Sequence, residues 1–181
     1  MDINLKQFKE VRIFLLVIGG CYVLFGVFAL LMVRLQQRMI GNAGLHSQDG
    51  MQNKIPELMS YLWQTWDTYM PYLVALGIAY LLFAWLYGRV WQQAPWILGA
   101  LTVLGLVFSL GYTQESLVFT DAFFEMIPEE DEFVGPMATT MTRATSVMGY
   151  VQAVGYMVVP QAIVAYKMRK LPASPGRVVE P

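Results

Sequence analysis

The side chains best suited to chemistry in this sequence form two stripes within apolar stretches. Thr145, Gly149, Gln152 and Tyr156 recur at i, i+4, i+7 and i+11, one face of a helix. Tyr69, Tyr72, Tyr80 and Tyr87 follow i, i+3, i+11 and i+18. Hydroxyls and an amide facing apolar rings suit a neutral amphiphile, and Arg143, at the edge of the first stripe, suits a lipid phosphate. The candidate ligand-binding residues are therefore Tyr72, Tyr80, Arg143, Gln152 and Tyr156. A plainer role competes for each of them. Polar groups between membrane helices commonly act as packing glue, and a boundary arginine commonly snorkels to the surface. Gln161 lies nine residues beyond Gln152, about half a turn round a helix, so the two amides do not share a site.

Other reactive types lack the neighbours that chemistry needs. His46 and Asp49 have no second histidine or cysteine close by, which falls short of zinc-ligand spacing. The run Glu129, Glu130, Asp131 and Glu132 has neither the alternating spacing nor the turn glycine of a calcium loop. Cys21 is the single cysteine and sits among apolar residues, where a thiolate is disfavoured. No nucleophile elbow, phosphate-cradling glycine loop or paired-histidine motif occurs. No catalytic residue, metal or cofactor is expected. An enzyme would have to assemble Glu57, Asp67, Asp121, Glu125 and Arg143 at a membrane surface.

Composition explains why the chemistry is sparse. Of 181 residues, 56% are hydrophobic and 14% charged, against about 45 to 50% and about 25% in soluble domains. Twelve basic groups against thirteen acidic ones exclude a nucleic-acid binder, and the apolar excess excludes a disordered chain. Charge-free windows cover 13–33, 68–88, 90–114 and 144–166. A hydrocarbon core of about 30 Å needs about 20 residues of helix. The expected fold is an all-α membrane domain over 13–166, with transmembrane helices at 13–33, 68–88, 94–114 and 144–166. A cytoplasmic amphipathic lead-in (1–12) precedes it and a mobile tail (167–181) follows. The apolar run after Lys6, Lys9 and Arg12 is too long for a secretory signal and is read as a retained helix.

With four spans, both termini share a side. A cytoplasmic placement puts Lys6, Lys9, Arg12, Arg89, Lys167, Arg169, Lys170 and Arg177 inside, and leaves Arg34, Arg38, Lys54 and Arg143 outside. The acidic stretch from Glu115 to Glu132 is then external. A polar loop is expected over 36–53. Interfacial helices are expected in both outer segments, the first from Pro56, where Leu58, Met59, Leu62, Trp63 and Trp66 follow a helical pattern. Tyr61, Trp63, Trp66, Tyr69 and Tyr72 would mark one headgroup level, and Trp85, Tyr87, Trp91 and Trp96 the other, about a tight turn at 88–95.

Self-similarity points to two parallel two-span repeats. Met70, Tyr72, Ala75 and Gly77 align with Met148, Tyr150, Ala153 and Gly155, while Ile18, Gly20 and Gly26 align with Ile97, Gly99 and Gly105. The spacing of Gly19, Tyr22 and Gly26, with the tryptophan-rich hairpin, loosely resembles small four-span proteins of bacteria such as the BphX-like family. That likeness covers spans one to three and carries over no functional residue.

The functional expectation is a non-enzymatic accessory or scaffolding subunit of a bacterial cytoplasmic-membrane complex. It would contact membrane lipids, and another membrane protein or a second copy of itself, through aromatic and acidic outer loops. The alternative is a protein that binds or transports a lipid or small molecule at an amphiphilic site between the repeats.

Overall fold

The computed structural model describes residues 2–42, 50–125 and 134–169, all in helices or the turn that joins two of them. No strand occurs among the described residues. We designate the helices α1 (Asp2–Asn42), α2 (Gly50–Leu86), α3 (Ala94–Glu125) and α4 (Val134–Arg169). Three stretches among the described residues are long and apolar enough to cross a membrane: Phe8–Arg38, Met59–Leu86 and Ala94–Ala122. Their outward surface agrees with that environment. Ile13, Val17, Leu24, Phe25, Phe28 and Leu31 on α1 and Val103, Leu104 and Val107 on α3 are exposed, far more apolar surface than a soluble monomer presents.

The elements outrun the apolar windows. Residues 36–42, expected in a loop, continue α1, because Gln, Arg and Met are good helix formers. Trp63 Nε1 donates to Gln36 Oε1 at 3.2 Å and ties that extension to α2. The separate interfacial helix expected from Pro56 is not a separate element. It forms the first turns of α2, which passes through Pro56 and Pro71 without a break. Likewise 114–125 prolong α3 rather than starting a new helix. Residues 43–49 of the expected loop, the run Glu129 to Glu132 and the tail from Lys170 onward lie outside the described residues.

The tight turn is present. Arg89 and Val90 N–H groups donate to the Leu86 carbonyl at 2.7 and 3.1 Å, a short 3-10 segment spans Trp91–Gln93, and α3 starts with Pro95 in its first turn. The Arg89 guanidinium lies 5.9 Å from the Trp85 ring centroid. Helix α1 packs on α2, α2 on α3 and α3 on α4, and α4 returns to α1.

The α1–α2 seam is the closest. A Cβ added to Gly19 would stand 2.8 Å from the Gly77 carbonyl, and one added to Gly77 would stand 2.8 Å from the Gly19 carbonyl. Gly26 faces Val74 and Met70. Backbone contact of this kind is how membrane helices gain dispersion energy when lipid removes the hydrophobic drive between them. The buried side chains form one cluster toward the turn, around Leu15, Tyr80, Tyr87, Leu98 and Val164, and a smaller one around Ala29, Met70, Leu73 and Met157.

The α1–α4 seam is closed at the turn end by an ion pair. Lys167 Nζ lies 2.7 Å from Glu10 Oε2 and 4.7 Å from the Phe14 ring centroid. Both charged groups are part-exposed. A double-mutant cycle with Glu10→Gln and Lys167→Met is expected to give a coupling of about 0.2 to 1 kcal/mol. The coupling should shrink at high salt. A salt-independent coupling, or none, would show that the pair does not fasten the seam.

Candidate functional site

Hydroxyls inside membrane helices are costly unless satisfied, and the threonines meet this need locally. Thr102 Oγ1 donates to the Leu98 carbonyl and Thr113 Oγ1 to the Ser109 carbonyl, each at 2.8 Å, and Thr65 Oγ1 donates to the Tyr61 carbonyl at 3.1 Å. Their protons are thus committed within their own helices.

The tyrosine stripe divides. Tyr80 is fully buried and Tyr87 is too, whereas Tyr72 is 65% exposed. At 100° per residue, Tyr72 lags Tyr69 by about 60°, enough to carry it out of the interior. Tyr72 and Tyr80 therefore do not converge on one site. The side chains of Arg143, Gln152 and Tyr156 lie outside the described residues, although the backbone there belongs to α4.

What surrounds Tyr80 is a junction of all four helices. The Tyr22 ring of α1 meets the Tyr80 ring edge-on with centroids 5.8 Å apart. Tyr22 Oη donates to Met157 Sδ of α4 at 3.4 Å. Thr102 of α3 and Gln161 of α4 are the polar side chains facing the Tyr80 hydroxyl. Gln161 is only 4% exposed, and neither its Oε1 nor Tyr80 Oη is in hydrogen-bonding geometry with another protein group. Pro160, next to Gln161, removes a backbone donor from α4. Sequence reasoning set Gln161 aside in favour of Gln152. The signal for it was present, since Gln161, Val164 and Met168, all buried, follow i, i+3 and i+7.

A second polar group lies at the end remote from the turn. The Tyr61 hydroxyl donates to Glu115 Oε2, linking α2 to α3. Trp63 reaches Gln36, while Trp66 Nε1 and Asp67 Oδ1 are buried atoms without a hydrogen-bond partner. Asp121 is exposed. Among the described residues no group of three or more His, Cys, Asp or Glu is arranged to hold a metal ion. Cys21 is exposed on the apolar surface of α1.

No family model, curated protein or solved structure matches this chain.

Proposed function

We propose that the protein is a four-span, non-enzymatic accessory or scaffolding subunit of a bacterial cytoplasmic-membrane complex, with both termini in the cytoplasm. In this reading α4 is the fourth span, its charge-free stretch of 144–166 being long enough to cross hydrocarbon. The four helices then form a bundle whose turn end faces inward. The observation that carries the proposal is the placement of ionisable groups. Between Arg12 and Arg34, between Asp67 and Arg89, between Arg89 and Glu115, and between Arg143 and Lys167, no acid, base or histidine occurs. Proton-coupled carriers and pumps place such groups at membrane depth, whereas a scaffold needs only rigid helices and a rim. The rim here is the end bearing Tyr61, Trp63, Glu115 and Asp121, and its aromatic side chains are of the type enriched in contact surfaces.

The contact at Gly105 differs from the one that the internal duplication predicts. Gly26 lies against Met70 and Val74, so the aligned Gly105 would lie against Met148 and Gln152. Gly105 instead meets Met157, about two and a half turns further along α4, and Met148 is exposed. The proposed scaffold rests on four spans and does not depend on repeat symmetry.

The test is mild extraction from native membranes, followed by size analysis and mass spectrometry of co-purifying proteins, for the wild type and for a Trp63→Ala, Glu115→Ala variant. A stable partner or self-assembly is expected, with recovery lowered about tenfold or more in the variant, as for loss of interface hot spots. A wild-type protein that leaves the membrane as a clean monomer, or a partner indifferent to the rim, would overturn the proposal.

A further inference from the structure

At the turn end, the mouth of the α1–α2 seam gathers cations without gathering acids. Arg12, Gly19, Val23 and Gly26 follow i, i+7, i+11 and i+14 on α1, and Val74, Gly77, Leu81 and Trp85 follow i, i+3, i+7 and i+11 on α2. The glycines of these stripes, with Val23, Val74 and Leu81, touch across the seam. Arg12 and Trp85 are thus the next members of facing stripes, about 10 and about 12 Å along the axis from the contact of Gly19 with Gly77. There the seam opens: Arg12 is exposed, and Trp85 is 64% exposed. A Cβ added to Gly88 would stand 3.5 Å from Phe8 Cζ, which brings the next residue of each segment, Lys9 and Arg89, to the same end. Both are exposed, and the Arg89 guanidinium lies over the Trp85 ring. Among the described residues none of the three cations is paired with a carboxylate, and the neighbouring Glu10 is held by Lys167 on the α4 side of α1. The C-terminus of α2 adds about half a negative charge, too little to balance three full positive ones.

We infer that this mouth, formed by Lys9, Arg12, Trp85 and Arg89, binds the phosphate of an anionic membrane lipid. An arginine fork matches the paired oxygens of a phosphate, and lysine adds a point charge. An indole settles at headgroup depth, so Trp85 sets the level at which the phosphate meets the cations. The occupant is a lipid and not a soluble phosphate because the mouth runs straight into hydrocarbon. Leu16, one turn beyond Arg12, and Ile78, two turns before Trp85, are exposed apolar side chains of the charge-free stretches, and an acyl chain can lie along them. The inference needs only that α1 and α2 span the bilayer. It does not draw on the scaffold reading or on which side the termini occupy, so it fails or holds apart from both.

The test is native mass spectrometry of the full chain released from detergent micelles, titrated with phosphatidylglycerol and, separately, with phosphatidylcholine. The wild type is expected to bind phosphatidylglycerol at least about tenfold more tightly. An Arg12→Gln, Arg89→Gln variant should weaken that binding by about thirtyfold, at about fivefold per cation, and leave phosphatidylcholine unaffected. An Arg34→Gln, Arg38→Gln variant, at the other end of α1, should bind as the wild type does. Three outcomes would overturn the inference: no preference for the anionic lipid in the wild type, equal weakening by the two double variants, or displacement of the lipid by an equal concentration of glycerol phosphate, which would mark a soluble ligand. If the first variant does not fold, Arg89→Gln alone, placed in the turn, carries the test at about fivefold.

Discussion

Gly77→Val is expected to part α1 from α2 and to lower stability by about 1 to 3 kcal/mol, the cost of overpacking a close-fitted seam. The reason lies in what the new atoms would meet. A Cβ at position 77 falls 2.8 Å from the Gly19 carbonyl, and also 2.8 Å from the Val23 backbone nitrogen and from Val23 Cγ2. Backbone atoms cannot rotate aside as a side-chain tip can, so the helices themselves must separate. Gly19→Val should behave alike, because it meets the Gly77 carbonyl from the opposite side. Gly20→Ala and Gly99→Ala are the controls, since nothing stands within 4 Å of either Cβ. Both should be neutral or slightly stabilising, through the better helix propensity of alanine. Unfolding in mixed detergent micelles, followed by circular dichroism, reads the difference. Equal losses at Gly20 and Gly77 would mean that the seam is not where this structure has it.

Tyr80→Ala has the other large expected effect, a loss of about 3 to 5 kcal/mol on the scale of buried aromatic truncations. Tyr80 is fully buried at the four-helix junction, and its ring is edge-on to Tyr22. Lipid tails do not enter so enclosed a space, so truncation leaves a cavity. Tyr72→Ala, eight residues earlier on the same helix and 65% exposed, should cost no more than about 0.5 kcal/mol. The same unfolding assay compares them. A Tyr72 loss matching that of Tyr80 would restore the single tyrosine face expected from spacing.

That pair also shows where sequence reasoning stops. Charge-free windows of about 20 residues are a strong signal because a helix is the one form in which a single segment satisfies its own backbone in hydrocarbon, and three of them coincide with helices long and apolar enough to cross a membrane. They mark where lipid begins, however, and not where a helix ends. Residues 36–42 and 56–67 lie outside the charge-free windows yet remain helical, and Trp63 on Gln36 shows two helices bracing each other there. Orientation about the helix axis was less legible. Where a helix is apolar all round, as α3 is, periodicity has little contrast to read. Gly19, Gly26 and Ala29 could be grouped as a packing face, yet only the structure separates Gly19, pressed on a carbonyl, from Gly20, facing open space. Gln152 and Gln161 posed the same problem on α4. A polar residue on an apolar helix announces that some face is special, and the partner helices decide which.

Helix length has a consequence for the world outside the bilayer. At about 1.5 Å per residue, α1 is about 60 Å from end to end, twice the thickness of the hydrocarbon it would cross. Beyond the charge-free window it continues for residues 34–42, a rise of about 13 Å. Trp63 and Tyr61 brace the posts at that height through Gln36 and Glu115. A water-soluble domain docking here would be held on stiff pillars at a set stand-off from the headgroups, its distance from the lipid measured in helical turns instead of in slack linker.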